Sequence, residues 1–204
     1  MRGVFITIEG LDFSGKSTLV RHLRELLPEG TYFTREPGGT VAAERIRELV
    51  LDPGVEMDSL TEAYLYAAAR ADNVRRVILP RLEAGEDVFC ERYLDSSLAY
   101  QGAGRDLGME EIRSLNAFAV RRALPDRTFY LKLDAAERER RAGKRGEPDR
   151  LERAGRGFMA RAEAAFDGLA ELEPERIIVL DATLPPDRLA DRIATCLKTL
   201  RKER

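Results

Sequence analysis

The chain has 204 residues, and its 44% hydrophobic and 34% charged residues suit a buried core beneath a charged surface. Its 34 Lys and Arg residues and 36 Asp and Glu residues leave a net charge of −2, without the basic excess of a general nucleic-acid binder. No apolar run approaches the roughly 18 residues of a membrane span, which argues against an integral membrane protein. We therefore expect one domain over residues 1–204, with no nucleic acid and no membrane among its partners.

Cysteine and histidine usage narrows the chemistry further. Cys90 and Cys196 lack the spacing of a metal site or a redox pair, and the first residues lack the pattern of a signal peptide. We therefore expect a reducing, cytoplasmic setting. His22 is the single histidine, so a His-based metal site or a Ser/His/Asp triad is a poor explanation of function.

Short apolar runs alternate with longer helical periods along the chain. The predicted strands cover 4–8, 31–34, 87–90, 128–133 and 177–180. The predicted helices cover 17–27, 41–51, 59–82 and 109–123, and a last one follows Pro186. This alternation predicts an α/β fold in which helices cover both faces of a five-stranded parallel sheet.

Two of these helices carry further signals. Val41, Ile46, Leu49 and Val50 are spaced for one apolar face of the helix over 41–51. Residues 59–62 have the S-x-x-E pattern of a capping box, which predicts that the next helix begins there.

The segment after the first strand matches G-x-x-x-x-G-K-[ST], in the strand–loop–helix context that this motif requires. The predicted nucleotide-binding residues are Gly10, Leu11, Asp12, Phe13, Ser14, Gly15, Lys16, Ser17 and Thr18. Lys16 would bridge the β- and γ-phosphates, and the Ser17 hydroxyl would ligate Mg²⁺. A chance glycine-rich turn is the alternative, and the context favours nucleoside triphosphate binding with a P-loop NTPase fold.

The loop alone does not choose between a guanine-nucleotide switch, a motor and a kinase. The base-reading motif N-K-x-D of a switch is missing from the sequence, and 204 residues are few for a motor with a transmission module. A small-molecule kinase would need a second phosphate site and a closing flap. Glu91 and Arg92 follow the third strand at the edge where ligands of such sheets bind, although alone they would suggest a surface ion pair. The Arg-rich stretch 138–153 is either a solvated loop or a mobile flap, an Arg-rich lid over about 138–150.

Four segments together resemble the thymidylate kinase family. They are T-R-E-P-G-G-T at 34–40, Y-A-A-A-R at 66–70, R-Y-L-D-S-S-L-A-Y-Q-G at 92–102 and D-R-L-E at 149–152. The resemblance runs over about 5–183 and implies transfer of the γ-phosphoryl group of ATP to thymidine monophosphate (dTMP), with Mg²⁺. It also implies a homodimer, with 41–51 or 59–82 as the candidate interface.

The resemblance implies roles for individual residues. For the acceptor nucleotide it implies Glu36, Pro37, Arg47, Tyr66, Arg70, Arg92, Ser97, Tyr100 and Gln101, with Tyr66 stacked on thymine and Asp12 at the deoxyribose 3′-hydroxyl. For ATP it implies Arg150 and Thr183 beside the phosphate loop. As catalytic groups it implies Lys16, Arg92, Arg141, Arg145 and Asp12, and as metal ligands Ser17 and Glu91.

Position and chemistry support the pair Tyr66 and Arg70 independently, because residues four apart share one helix face. A core aromatic and a surface ion-pair partner are the alternatives, and Tyr100 could likewise only pack. Two residues depart from the family pattern: Glu91 replaces the usual Asp, and Phe13 replaces the usual Gly or Arg. The alternatives for the whole chain are a kinase for another nucleoside monophosphate or a nucleoside, and an ATP-binding regulator without transferase activity.

Overall fold

The computed structural model describes residues 1–143 and 150–203. Within them lie the strands β1 (Phe5–Glu9), β2 (Tyr32–Arg35), β3 (Val88–Glu91), β4 (Arg127–Lys132) and β5 (Ile177–Asp181). They pair in the order β2-β3-β1-β4-β5, and every pair is parallel. The predicted five-stranded parallel sheet is confirmed, and its strand bounds lie within one residue of the predicted ones.

Helices connect these strands on both faces of the sheet. They are α1 (Lys16–Leu26), α2 (Val41–Leu51), α3 (Ser59–Asn73), α4 (Leu79–Glu83), α5 (Leu94–Ser97), α6 (Met109–Val120), α7 (Ala135–Ala142), α8 (Arg156–Leu172) and α9 (Pro186–Lys202). Short π-helical segments follow α3 (Val74–Ile78) and α5 (Leu98–Gly104), and a 3₁₀ turn (Glu152–Ala154) precedes α8. None of the helices in the described ranges is long and apolar enough to cross a membrane.

Alternate side chains of the strands fill two separate cores. Phe5 and Tyr130 point into one core, where α3, α6 and α8 cover the sheet. Ile6, Phe89 and Phe129 point into the other, which α1 and α9 cover. Because both faces of the sheet are covered, the residues of the inner strands β1, β3 and β4 are buried almost throughout rather than at every second position.

The structure corrects three predictions about helices. The helix predicted over 59–82 is interrupted by the π-helical segment before Pro80, whose ring removes a backbone donor. The helix α8 was missed, although Phe158, Ala162, Phe166 and Leu169 repeat at helical spacing on its buried face. Residues 138–142 of the Arg-rich stretch belong to α7 rather than to a loop.

Two local predictions about α2 and α3 are also wrong. Asp58 caps α3 by accepting a hydrogen bond from the Leu60 N–H, so residues 59–62 do not form a capping box. Val41 is 84% exposed and Leu49 41% exposed, so the apolar face predicted for α2 is only partly buried. Apolar spacing alone did not distinguish a face against the core from a face at the surface.

The sheet order brings three loops to one edge. β2, β3 and β1 are neighbours, and the segments after Arg35, Glu91 and Glu9 all leave the sheet at its carboxyl end. This is the edge at which open α/β sheets bind their ligands.

Candidate active site

The phosphate-binding loop adopts the predicted strand–loop–helix arrangement. β1 ends at Glu9, the loop covers 10–15, and α1 begins at Lys16. Gly10 has a φ of 139°, and a Cβ there would lie 2.7 Å from the Leu131 carbonyl oxygen. Only glycine fits so close to the end of β4.

The Lys16 ammonium group lies inside this loop. Its Nζ donates to the carbonyl oxygens of Gly10 at 3.1 Å and Leu11 at 2.7 Å, and to Ser14 Oγ at 3.3 Å. Burial, together with the nearby Arg92 guanidinium, lowers the pKa of Lys16 to about 7. An anion bound in the loop would favour the charged form of this amine, so the loop is suited to phosphate.

Arg92 connects the phosphate loop to the segment after β3. Its Nη1 donates to the Gly10 carbonyl oxygen at 2.9 Å and to Ser96 Oγ and Tyr100 Oη at 3.3 Å each. Its Nη2 donates to Asp12 Oδ1 at 2.5 Å. The backbone has a φ of 63° at this position, which turns the side chain back over the loop.

Neighbouring side chains shift the pKa values of Asp12 and Arg92 in the directions that keep both charged. Burial would raise the pKa of Asp12, but the Arg92 guanidinium and the Lys16 ammonium hold it below its usual value. Burial would likewise lower the pKa of Arg92, but Tyr100 and Asp12 raise it above its usual value. Asp12 and Arg92 therefore form a charged pair at the border between loop and cavity.

Glu9 lies beneath this pair and fixes the turn that carries Arg92. Its Oε1 accepts from the Tyr93 N–H at 2.7 Å and its Oε2 from Ser96 Oγ at 2.5 Å. Burial and the neighbouring Asp95 carboxylate raise the pKa of Glu9 to about 7. Through Ser96, which also accepts from Arg92, Glu9 supports the position of the guanidinium.

One cavity beside this group gathers the predicted acceptor residues. Asp12, Glu36, Pro37, Arg47, Tyr66, Arg70, Arg92, Ser97, Tyr100 and Gln101 all line it. These residues come from the phosphate loop, the turn after β2, α2, α3 and the segment after β3. The structure thus brings together every residue that the resemblance implied for the acceptor nucleotide.

Arg70 lines the cavity and makes four side-chain hydrogen bonds. Its Nε donates to Glu36 Oε2 at 2.7 Å, its Nη1 to Ser97 Oγ at 3.0 Å and Asn116 Oδ1 at 2.6 Å, and its Nη2 to the Tyr93 carbonyl oxygen at 2.8 Å. Four of the five guanidinium N–H groups thus bond to described residues, which leaves one on Nη2 for a ligand.

These bonds decide between the two interpretations of Arg70. The side chain is 2% exposed, so the alternative of a surface ion pair is wrong. Glu36 and Ser97, which we expected to contact the nucleotide, bind Arg70 in this structure. Burial raises the pKa of Glu36 although the Arg70 guanidinium opposes the change.

Tyr66 and Arg47 complete the cavity. Tyr66 lies one helical turn before Arg70 on α3 and is both packed in the core and part of the cavity wall. Arg47 donates from Nη1 to the Pro37 carbonyl oxygen at 3.1 Å, while burial lowers its pKa. The lining of the cavity therefore includes a flat aromatic ring, of Tyr66, and the guanidinium groups of Arg47 and Arg92.

Comparison with known proteins agrees with this geometry. The family model described as thymidylate kinase matches residues 8–193. The chain belongs to the thymidylate kinase family. The thymidylate kinase of Deinococcus radiodurans is 48% identical over 195 residues, covering 94% of this chain and 95% of the relative. That of Clavibacter sepedonicus is 49% identical over 197 residues, covering 95% and 93%. The crystal structure of thymidylate kinase from Ehrlichia chaffeensis superposes with a TM-score of 0.77 at 30% identity, covering 95% of this chain and 99% of that one.

Glu91, the first departure from the thymidylate kinase pattern, reaches the phosphate loop. Ser17 Oγ donates to Glu91 Oε1 at 2.8 Å. A hydroxyl and a carboxylate side by side are hard oxygen donors and fit Mg²⁺. Within the described residues no three or more His, Cys, Asp or Glu side chains form a metal cluster, so phosphate oxygens and water would supply the other ligands.

Phe13, the second departure, has a φ of 65°. This left-handed conformation favours glycine and strains a residue with a Cβ. Phe13 lines a second cavity, between α7 and α8, together with Ala135, Arg138 and Met159. The bulky residue is therefore accommodated on the side of the loop that faces these helices.

Arg141 joins two parts of the site predicted for ATP. From α7, its Nη1 donates to the Phe13 carbonyl oxygen at 3.4 Å and its Nη2 to the Ala182 carbonyl oxygen at 3.1 Å. Thr183, the predicted neighbour of the adenine, follows Ala182 and is exposed. Arg145 lies outside the described residues.

Arg150 bonds to α3 and to the end of α2. It donates to Glu62 on α3 and from Nε to the Val50 carbonyl oxygen at 2.9 Å, and its contact with ATP stays a prediction. Its neighbour Leu151 lines the acceptor cavity. In this structure Arg150 thus lies behind the acceptor cavity, next to a residue that lines it.

Sequence reasoning missed several residues of this site. They are Glu9, Leu51, Glu62, Asn116 and Leu151. Only Glu9 carried a usable signal, because a carboxylate that ends a buried strand needs partners at the ligand-binding edge. The others act through contacts between distant segments, which spacing along the chain does not reveal.

Proposed function

We propose that the chain transfers the γ-phosphoryl group of ATP to dTMP, giving ADP and thymidine diphosphate (dTDP). The observation that carries this proposal is one cavity whose lining includes Asp12 and Arg92, next to the phosphate loop, together with Tyr66 and Arg70. A phosphate clamp and a base-reading pair in the lining of one cavity are what a nucleoside monophosphate needs.

Arg92 and Arg47 hold the acceptor phosphate, because both guanidinium groups line the cavity and match the geometry of phosphate oxygens. Tyr66 stacks on the pyrimidine, and the remaining N–H of Arg70 donates to a carbonyl oxygen of the base. Asp12 accepts from the 3′-hydroxyl of the deoxyribose. Tyr100 and Gln101 close the sides of the cavity.

ATP binds with its phosphates on the loop over 10–15, on Lys16 and at the start of α1, where Ser17 and Thr18 lie. Thr183 is on the adenine side, and Arg141 lies between its neighbour Ala182 and the phosphate loop. Ser17 and Glu91 would hold Mg²⁺. The chemistry that Mg²⁺ supplies in phosphoryl transfer is the neutralisation of charge on phosphate oxygens.

Phosphoryl transfer here needs positioning and charge neutralisation. An oxygen of the dTMP phosphate attacks the γ-phosphorus of ATP in line, the bond from this phosphorus to the bridging oxygen breaks, and ADP leaves with that oxygen's electron pair. A general base is unnecessary because a phosphate monoester, with a second pKa of about 6, is already mostly ionised near neutral pH. Lys16, Arg92 and Arg141 stabilise the charge on the transferring group.

A coupled ADP-release assay tests the proposal. It compares dTMP with the monophosphates of uridine, cytidine and adenosine, and includes ATP without an acceptor. We expect dTMP to give the highest kcat/KM and the sample without acceptor to release almost no ADP. Preference for another acceptor would indicate a different nucleoside monophosphate kinase, and ATP binding without transfer to any acceptor would indicate a regulator.

We further propose that the chain forms a homodimer through α2 and α3. Val41 and Leu49 on α2, and Leu60 and Tyr64 on α3, expose large apolar surfaces. Such side chains are usually covered when they cluster on neighbouring helices. The cytoplasmic location stays a prediction from the cysteine pattern.

A further inference from the structure

Glu62 is a fully buried carboxylate for which the proposed reaction has no role. Its Oε1 accepts from Gln101 Nε2 at 2.8 Å and from Arg105 Nε at 3.3 Å. Its Oε2 accepts from Arg105 Nη2 at 2.9 Å and from Arg150 Nη2. The capping role suggested by its sequence position belongs to Asp58, so these four bonds need another explanation.

Two of the residues that bond to Glu62 connect it to the acceptor cavity. Gln101, in the π-helical segment after α5, lines the cavity itself. Arg150 is fixed further by bonds to the carbonyl oxygens of Val50, from Nε at 2.9 Å, and Leu51, from its backbone N–H at 3.4 Å. These bonds place Leu151 beside Leu51, and both of these leucines line the cavity.

We propose that Glu62 is a positioning residue for the acceptor nucleotide. From one buried point it fixes Gln101 on one wall and Leu151, through Arg150, on another, and so sets the width of the cavity around the base. The inference rests on the proposed function, since it assigns the cavity to dTMP. It also assigns Arg150 to the acceptor and not to ATP.

The chemistry of a carboxylate explains why Glu is needed. An ionised carboxylate only accepts hydrogen bonds and has about four lone-pair positions, which match the four N–H donors around Glu62. Glutamine has nearly the same size, but its amide nitrogen would face donors, and two arginines would lose their counter-charge. Glu62→Gln should therefore displace the cavity walls without leaving a void.

Kinetics of the full chain test this inference. Glu62→Gln should raise the KM for dTMP roughly tenfold or more, with the KM for ATP changed by less than about twofold. Glu62→Asp, which keeps the charge on a shorter side chain, should restore part of the loss. Equal changes in both KM values, or an unchanged KM for dTMP, would overturn the inference.

Two arginine variants form a matched pair. Arg150→Met removes the partner that seats Leu151, so it should raise the KM for dTMP as Glu62→Gln does. Arg105→Met also removes a partner of Glu62, but neither neighbour of Arg105 in the chain lines the cavity as Leu151 does. Arg105 packs over the Phe158 ring, so the KM for dTMP should change little. If Glu62→Gln fails to fold, this pair decides: a larger effect of Arg105→Met, or a raised KM for ATP in Arg150→Met, contradicts the inference.

The wild-type chain separates this inference from the proposed function. If the wild type does not phosphorylate dTMP, the proposed function fails first, and the inference fails with it. If the wild type is active and the variants behave alike toward both substrates, the inference alone fails.

Discussion

Arg92 is the residue on which the border between the two nucleotide sites depends. It bonds to the phosphate loop and to Asp12, and it lines the acceptor cavity. Arg92→Met should lower kcat/KM for dTMP by about 100-fold or more, because it removes a buried charge that binds phosphate. Steady-state kinetics with both substrates varied measure the effect.

Arg21→Ala is the control for this change, since Arg21 is exposed on α1. Arg24, on the same helix, serves less well because its guanidinium packs over the Phe33 ring. Full activity in Arg92→Met, or an equal loss in Arg21→Ala, would contradict the assigned phosphate site.

Phe13 tests whether the phosphate loop is strained. With a φ of 65°, this position favours glycine. The free energy of unfolding should therefore be about 1 kcal/mol larger for Phe13→Gly than for Phe13→Ala. Urea unfolding of the two variants measures the difference. At Lys198, an exposed position in α9, the same two substitutions should rank in the opposite order, because glycine weakens a helix. The same order at both positions would argue against a left-handed backbone at Phe13.

The raised pKa of Glu9 predicts that the free energy of unfolding depends on pH. Its pKa is raised from 4.5 to about 7, so its contribution to stability is complete below about pH 4.5 and is lost as the pH rises to about 7. Between these values the wild type should lose stability relative to Glu9→Gln, by at most about 1.4 kcal/mol per pH unit. Urea unfolding of both proteins at closely spaced pH values measures this. Parallel stability curves would mean that Glu9 is ionised throughout.

At the scale of secondary-structure elements, the sequence predicted the features that depend on residues close together in the chain. Short apolar runs located the five strands, and the glycine and lysine spacing located the phosphate loop. It did not predict the π-helical segments, because these depend on how α3 and the residues after α5 pack against α6 and α8. For the same reason the partners of Glu62 and Arg70 were not foreseen, since they lie 23 or more residues away in the chain.

The exposed apolar residues of α2 and α3 make the proposed dimer testable. Tyr64 is 56% exposed on α3, and Tyr64→Glu would place a charge in the interface. We expect light scattering after gel filtration to show a dimer for the wild type and a monomer for this variant. Leu172→Glu, at a residue 78% exposed on α8, is the control and should stay a dimer. A monomeric wild type, or a dimer that withstands Tyr64→Glu, would contradict the proposed interface.

For the molecule as a whole, the parallel sheet explains how distant segments form one site. The turns after β1, β2 and β3 meet at one edge, and α3 lies across it with Tyr66 and Arg70 toward the cavity. Each motif therefore spans only a few consecutive residues, and the order of the strands brings the motifs together into one site.

The most direct test of this account compares dTMP with deoxyuridine monophosphate, which differs only in lacking the 5-methyl group of the base. If the cavity with Tyr66 and Arg70 encloses the thymine ring, kcat/KM for dTMP should exceed that for deoxyuridine monophosphate by about 10- to 200-fold, the usual worth of one buried methyl. Equal kcat/KM values for the two acceptors would contradict the assignment of this cavity to thymine.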